Sequence, residues 1–590
     1  MTIKKNKLPR WDLKDLYHDP ASKKLDFDFK KCRRDANAFH KRYFGNVAEL
    51  SGDELVGAVQ LYEKIDQLIA RIMSYAQLCH STDVLSTETS RFYQTTQETL
   101  TEISAQLVFF KIELNQLDDE VLKAKLTSSK LKSYSSWIRD LRMFRPHVLK
   151  EEMERLLQDK RIAGQGAWVR LFDETMARMR IEIENQHKTV EEALHDLSDG
   201  EPQVRKKAAK ALGRNFKKHV HLFSLITNTL AKNKEVDDRW RNFSMPQSSR
   251  NLENFVEDDV VEALINSVQS AYPMLSHRYY KLKARWFGKQ KLDYWDRNAP
   301  LPEDGNYTIP WNTAKEIVLK AYQAFSPELS KIGKTFFDNE WIDAQPRSGK
   351  VGGAFAHPTV PSVHPYLLVN YMGRPRDVMT LAHELGHGVH QVLASPQGHL
   401  KCNTPLTLAE TASVFGEMLT FRSLLDNETN LKRKKVMLAG KVEDMLNTVV
   451  RQIAFYQFEL QVHNARRMGE ISAEQICKIW MDVQRNSLGP SIRLHEEYKY
   501  FWTYIPHFIH SPFYVYAYAF GDCLVNSLYS IYENGWEGFE NLYLNMLRAG
   551  GTLHHKKLLA PFDLDASDSE FWSKGLNVIV RFIDELEKLE

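Results

Sequence analysis

Residues 380–391 read Thr-Leu-Ala-His-Glu-Leu-Gly-His-Gly-Val-His-Gln, a run of good helical character that no proline interrupts. On a helix with 3.6 residues per turn, positions four apart lie nearly one above the other, so the imidazoles of His383 and His387 can reach a single ion. That geometry suits zinc. Glu384, one residue after the first histidine, stands beside such an ion rather than on it, placed to hold a water and take its proton. Leu381, Ala382, Leu385 and Val389 give the helix an apolar side to bury, and Gly386 is expected to remove side-chain bulk beside the metal. Buried polar side chains need partners, so the fold must bring other parts of the chain to this helix.

A catalytic zinc site takes a third protein ligand and keeps one position open. A third histidine six residues after the second is ruled out, because position 393 is Leu. Downstream, Thr404-Pro405 and the apolar repeat after it announce a helix start, and Glu410 and Glu417, seven apart, share one face of that helix. Two roles compete for the Glu410 carboxylate: a capping box with Thr407, or a metal ligand. The ligand role is favoured, with Glu417 orienting a metal-bound imidazole.

These residues carry a family resemblance. His383-Glu-Leu-Gly-His-Gly-Val-His390, followed by Glu410-Thr-Ala-Ser413, resembles the thimet oligopeptidase family of zinc peptidases, and specifically its oligoendopeptidase F branch. Trp11 to Tyr17 is similar to that branch's opening, Tyr294-Trp295-Asp296 to Leu301 to its mid-chain marker, and Arg347 to Phe355 to the strand before the zinc helix. Ile505-Pro506-His507 to Phe513-Tyr514-Val515-Tyr516-Ala517-Tyr518 resembles its C-terminal His/Tyr segment. The resemblance implies a mainly α fold with a small β-sheet at the active site, a two-lobed zincin-type metallopeptidase enclosing a deep substrate channel. It also implies one Zn²⁺ held by His383, His387 and Glu410, oligopeptide substrates cleaved at internal bonds, and Glu384 as general base. His507 with Tyr514 or Tyr516 is expected to stabilise bound substrate and the oxyanion. The interval from His507 to the tyrosines is shorter than in the better-known branch, which leaves Tyr514, Tyr516 and Tyr518 as alternatives; on a helix Tyr514 and Tyr518 share a face and Tyr516 points elsewhere.

Two other readings of the metal motif make different demands. A zinc aminopeptidase needs a carboxylate that grips the substrate's free amine, commonly in a Gly-x-Met-Glu-Asn element, and that string is absent. A binding scaffold with a structural zinc site would close the metal with four ligands, whereas three ligands plus Glu384 make the open pattern.

The net charge of +3 over 590 residues is close to balance, with no basic stripe interleaved with aromatics, so nucleic acid is not indicated as a partner. The runs Lys432-Arg433-Lys434-Lys435 and Arg205-Lys206-Lys207 read as solvated helix faces. The N-terminus has no apolar segment behind its lysines, so no secretory leader is expected, and the most apolar stretch, 511–525, is too short for a membrane span. Five scattered cysteines, odd in number and without C-x-x-C spacing, argue against a disulfide framework and for a cytoplasmic location.

Helix signals dominate the first 200 residues. Ser51 and Glu54 make a capping box, after which Leu55, Val59, Tyr62, Ile69, Ile72 and Ala76 recur at helical spacing; Ile103, Leu107, Phe110 and Leu114 mark a further long helix. The polar stretch 196–202, with Gly and Pro, suggests a boundary between an N-terminal helical lobe (1–200) and a catalytic domain (201–590) that contributes to both channel walls. Strand signal is concentrated at 350–356 and 366–371, just ahead of the zinc helix. An exposed edge there could hold an extended peptide through its backbone; Gly352 and Gly353 either permit that close approach or serve a turn.

Overall fold

The computed structural model describes residues 8–301 and 308–589, and they are mainly helical with a few short strands. They group into two compact units, each assembled from three stretches of chain. The first takes the described residues of Met1–Arg145, Asn306–Asn427 and Trp536–Phe562, the second those of Pro146–Gly305, Glu428–Gly535 and Asp563–Glu590. The first seven residues, on which the reading of the N-terminus partly rests, lie outside the described residues. Among the described residues no helix is long and apolar enough to cross a membrane, and all five cysteines are free thiols.

Helix α1 (Gly52–Thr82) starts at the expected capping box: the Ser51 hydroxyl accepts the Glu54 N–H, and the Glu54 carboxylate accepts the Ser51 N–H at 2.8 Å. Its apolar row is buried in the first unit's core, with Ile69 only partly covered. The single long helix expected around Ile103 to Leu114 is two, α2 (Thr87–Ala105) and α3 (Val108–Gln116). Leu107 and Phe109 would point to opposite sides of a continuous helix, 200° apart at 100° per residue. The break buries both, together with Phe110.

The polar stretch before residue 202 is a turn inside the second unit rather than a boundary. It leads into the 39-residue helix α4 (Pro202–Trp240), with Pro202 in the first turn. The carbonyls of Asp199 and Gly200 accept from the guanidinium of Arg205, whose other arm donates to Asp296 at 2.8 Å. Arg205 is fully buried, so the run 205–207 is not the solvated face expected of it; only Lys206 and Lys207 stay exposed.

Back in the first unit, α5 (Trp311–Phe325) and α6 (Pro327–Asp338) precede a three-stranded sheet of β1 (Ile342–Asp343), β2 (Phe355–His357) and β3 (Tyr366–Leu368). β3 is central: β1 pairs with it in parallel, Asp343 opposite Leu368, and β2 antiparallel, Phe355 opposite Leu368. Gly353 has φ +77°, which a side chain rarely adopts, so it serves the turn ahead of β2; the Asn370 amide pins that turn by donating to the carbonyls of Val351 and Gly353. The chain then enters α7 (Pro375–Ala394) and, after a short turn of helix, α8 (Thr411–Asn427). In the second unit, α9 (Val450–Met468) and α10 (Tyr516–Glu533) frame the C-terminal His/Tyr segment.

Candidate active site

Helix α7 begins with Pro375 in its first turn, and Asp377 accepts the N–H groups of Arg374 and Met372 at 3.0 and 2.8 Å. Its apolar row, Leu381, Ala382, Leu385 and Val389, is fully buried. The role expected of Gly386 needs correction, because the residue faces a helix rather than the metal position. A Cβ there would lie 2.4 Å from the Ala412 carbonyl oxygen and 2.7 Å from Ser413 Cα, so its missing side chain is what lets α7 and α8 pack backbone to backbone. Gly388 and Gly416 do similar work against the Phe336 ring and the Tyr322 hydroxyl. Through the room Gly416 leaves, Tyr322 donates to the Ala382 carbonyl at 2.7 Å, one residue before His383.

This close packing brings Glu410, at the junction between the short helix Leu406–Ala409 and α8, over the two histidines. Glu410 Oε2 lies 3.3 Å from His383 Nε2 and 3.4 Å from His387 Nε2. Adjacent ligands of a tetrahedral zinc with bonds of about 2.05 Å stand about 3.3 Å apart, so these separations fit zinc. Two imidazoles and one carboxylate are also a donor set of catalytic zinc sites. Because the helix starts at Leu406, Thr407 sits within it rather than at its cap, and the Glu410 carboxylate takes no part in a capping box. Instead Ser413, one helical turn on, donates to Glu410 Oε2 at 2.6 Å.

The other face of the His383 ring is held as well: its Nδ1–H donates to Glu417 Oε2 at 3.3 Å, which leaves Nε2 as the coordinating nitrogen. Burial alone would depress His383, but the Glu417 hydrogen bond and the charges of Glu410, Glu417 and Glu384 outweigh it and hold its pKa above the ordinary imidazole value. Burial pushes His387 down to about 4, keeping it a neutral donor. Glu384 is 7% exposed, and burial, reinforced by the charge of Glu410, pushes its carboxyl up to about 7.

The second set of expected residues lies in the second unit. His507, in the short helix His507–His510, has Nε2 3.3 Å from the Tyr518 hydroxyl, and its ring is 6.3 Å from that of Tyr514. Tyr514 and Tyr518 stack edge to face at 5.3 Å, and Tyr518 is 38% exposed. Tyr516 must be removed from the candidates: it is fully buried in the core, and its hydroxyl accepts the Asn254 amide at 2.9 Å. The remaining histidines of interest have structural partners. His390 is buried 3.3 Å from the Thr404 hydroxyl, His364 stacks on Trp341 and meets Asp15, His357 accepts the Thr359 N–H, and His510 meets Asp173.

Sequence reasoning assigned no role to Ser413 or Tyr322. Ser413 lies one helical turn after Glu410 in the same run of sequence, a spacing that brings the two side chains together. Tyr322 lies 60 residues from Ala382 and nothing local marks it.

The model of peptidase family M3 matches residues 195–578, well over half of the chain, and that of Oligopeptidase F matches residues 113–181. Oligopeptidase PepF of Bacillus subtilis is 25% identical over 593 residues, covering 98% of this chain and 87% of that protein. An oligoendopeptidase F homolog of Borreliella burgdorferi is 26% identical over 551 residues, covering 92% of each. Among solved structures, one from Chlamydophila abortus superposes with a TM-score of 0.87 at 20% identity, covering 98% of both chains. Oligoendopeptidase-F from Enterococcus faecium superposes with 0.71 at 21% identity, covering 96% of this chain and 98% of its own. These two share the fold. The chain belongs to peptidase family M3, on its oligoendopeptidase F branch, and is a metalloendopeptidase.

Proposed function

We propose that the protein is a zinc-dependent endopeptidase that hydrolyses internal bonds of short oligopeptides. The observation that carries the reading is the convergence of His383 Nε2, His387 Nε2 and Glu410 Oε2 at tetrahedral spacing, beside a buried Glu384 on the same helix. Zinc bound by these three residues supplies Lewis-acid polarisation of the scissile carbonyl and makes water acidic enough to lose a proton near neutral pH. Glu384 takes the proton from the attacking water and delivers it to the leaving amine. Ser413 and Glu417 hold Glu410 and His383 in place throughout, and Tyr322 braces the turn of α7 that carries His383. The outer strand β2 offers an edge on which an extended peptide pairs through its backbone, which accepts many sequences.

His507 and Tyr518 supply hydrogen-bond donors for the negative charge that develops on the scissile oxygen. Their mutual 3.3 Å contact and the exposure of Tyr518 support this role, and Tyr514 packs against both rings. The near-balanced charge and the free thiols fit a cytoplasmic peptidase with no nucleic-acid partner.

The test is zinc content together with cleavage of an internally quenched, end-blocked peptide by wild type and Glu384→Gln. Wild type is expected to carry about one zinc per chain and cut internally, while Glu384→Gln keeps the metal and loses activity by orders of magnitude. Blocked ends separate this from an aminopeptidase. A zinc-loaded wild type that leaves the peptide whole would overturn the reading.

A further inference from the structure

His507, Tyr514 and Tyr518 sit on either side of a tight turn, Ser511-Pro512-Phe513-Tyr514, closed by the Tyr514 N–H donating to the Ser511 carbonyl at 3.1 Å. The turn fixes how the short helix bearing His507 meets the helix bearing Tyr518, so its shape sets the 3.3 Å contact between them. Pro512 occupies the second position, and Phe513, at the third, has φ +60°. That left-handed position in a turn with proline before it is the place of glycine, so a phenylalanine persists there only if its surroundings hold it.

Three things hold it. The Phe513 ring is fully buried, 4.9 Å from the His463 ring and 5.7 Å from that of Tyr456. The Phe513 N–H donates to Oε1 of Glu459, a carboxyl on α9 that is 2% exposed and whose Oε2 has no hydrogen-bond partner among the described residues. From the other side Arg250 donates through Nε to the Pro512 carbonyl at 3.2 Å, and its guanidinium lies 5.9 Å from the centre of the Tyr514 ring. The two side chains thus grip opposite ends of one peptide group, the Pro512–Phe513 amide, Glu459 accepting from its N–H and Arg250 donating to its carbonyl. An apolar residue at 459 would avoid burying a half-satisfied carboxyl but would leave the Phe513 N–H without its acceptor. The carboxyl does a specific job at that amide.

From this we infer that Glu459 and Arg250 are positioning residues, which clamp the strained Phe513 turn and thereby set the geometry of the His507–Tyr518 pair. The inference rests on the reading that this pair acts on the substrate.

The test compares Glu459→Leu, Glu459→Gln, Arg250→Gln, His507→Ala and the double variant Arg250→Gln/His507→Ala, with zinc content and kcat and KM for an internally quenched, end-blocked peptide. Glu459→Leu and Arg250→Gln are expected to lower kcat about 10- to 100-fold with KM within about twofold and zinc unchanged, as misplacement of catalytic groups does. Glu459→Gln keeps an acceptor for Phe513 and is expected to stay near wild type. The double variant is expected to lose less than the product of the two single losses, because without His507 the clamp has only Tyr518 left to position. Losses that multiply in the double variant, or an impaired His507→Ala beside unimpaired Glu459→Leu and Arg250→Gln, would overturn the inference. A fully active His507→Ala would overturn the role of the pair itself, and the clamp with it. Should Glu459→Leu fail to fold, Arg250→Gln and the double variant decide alone.

Discussion

Glu417 holds the Nδ1 side of the His383 ring while Glu410 approaches its Nε2 side, each carboxylate oxygen 3.3 Å from its nitrogen. The imidazole is clamped edge to edge, so its plane and tautomer are set before any metal arrives. Glu417→Ala is therefore expected to weaken zinc affinity about 10- to 100-fold, measured by competition with a chelator of known affinity. Unchanged affinity would show that α7 alone orients the ring.

Gly386 and Gly57 are both helical glycines of the first unit, in opposite surroundings. A Cβ at Gly386 meets backbone at 2.4 Å, whereas one at the exposed Gly57 meets nothing within 4 Å among the described residues. Gly386→Ala must push α7 from α8 and is expected to cost about 1–3 kcal/mol and reduce zinc affinity with it. Gly57→Ala is expected to stabilise by about 0.5–1 kcal/mol, since only the entropy of the unfolded chain changes. Denaturant unfolding of both variants checks the pair.

Tyr516 and Tyr518 differ by two residues and by environment. Tyr516→Phe removes the acceptor of the buried Asn254 amide and is expected to cost about 1–3 kcal/mol of stability with kcat close to wild type. Tyr518→Phe removes a donor from the exposed pair with His507, and kcat is expected to fall about a hundredfold with little change in stability. The opposite pattern would restore Tyr516 as the functional phenol.

Complete burial pushes the Glu459 carboxyl up to about 8, against about 4.3 for an ordinary glutamate. Between those values the folded protein keeps a proton that the unfolded chain releases, so this contribution is full below about pH 4 and is lost as pH rises through 8. The loss is on the order of a few kcal/mol. Burial pushes His463, in the same region, down to about 3, and that residue lowers stability as pH falls below its ordinary value of 6.5. Glu459→Gln keeps the histidine effect and drops the carboxyl effect. Unfolding of wild type and variant from about pH 5 to 9 is expected to diverge steadily, with the variant the more stable on the alkaline side.

What could be read from the chain alone was what depends on neighbours a few residues apart. Four-residue spacing put His383 and His387 on one side of a helix, three-residue spacing made the Ser51–Glu54 cap, and short runs with glycine or β-branched residues, bounded by prolines, marked a sheet ahead of α7. Helical periodicity could not show that the chain breaks between Ala105 and Val108, because burying Leu107 and Phe109 together depends on what packs against them. Nor could composition show that Arg205 turns inward to Asp296, 91 residues away, and makes a polar stretch part of a core. At the candidate site, residue types named the chemistry, but which side chains share it was settled by packing. Gly386 admits the α8 backbone, Tyr322 reaches Ala382 across 60 residues, and Asn254 takes the Tyr516 hydroxyl across 262. Local patterns specify elements because backbone geometry repeats; long-range contacts escape them because which surfaces meet depends on the volumes and polar groups of the whole unit.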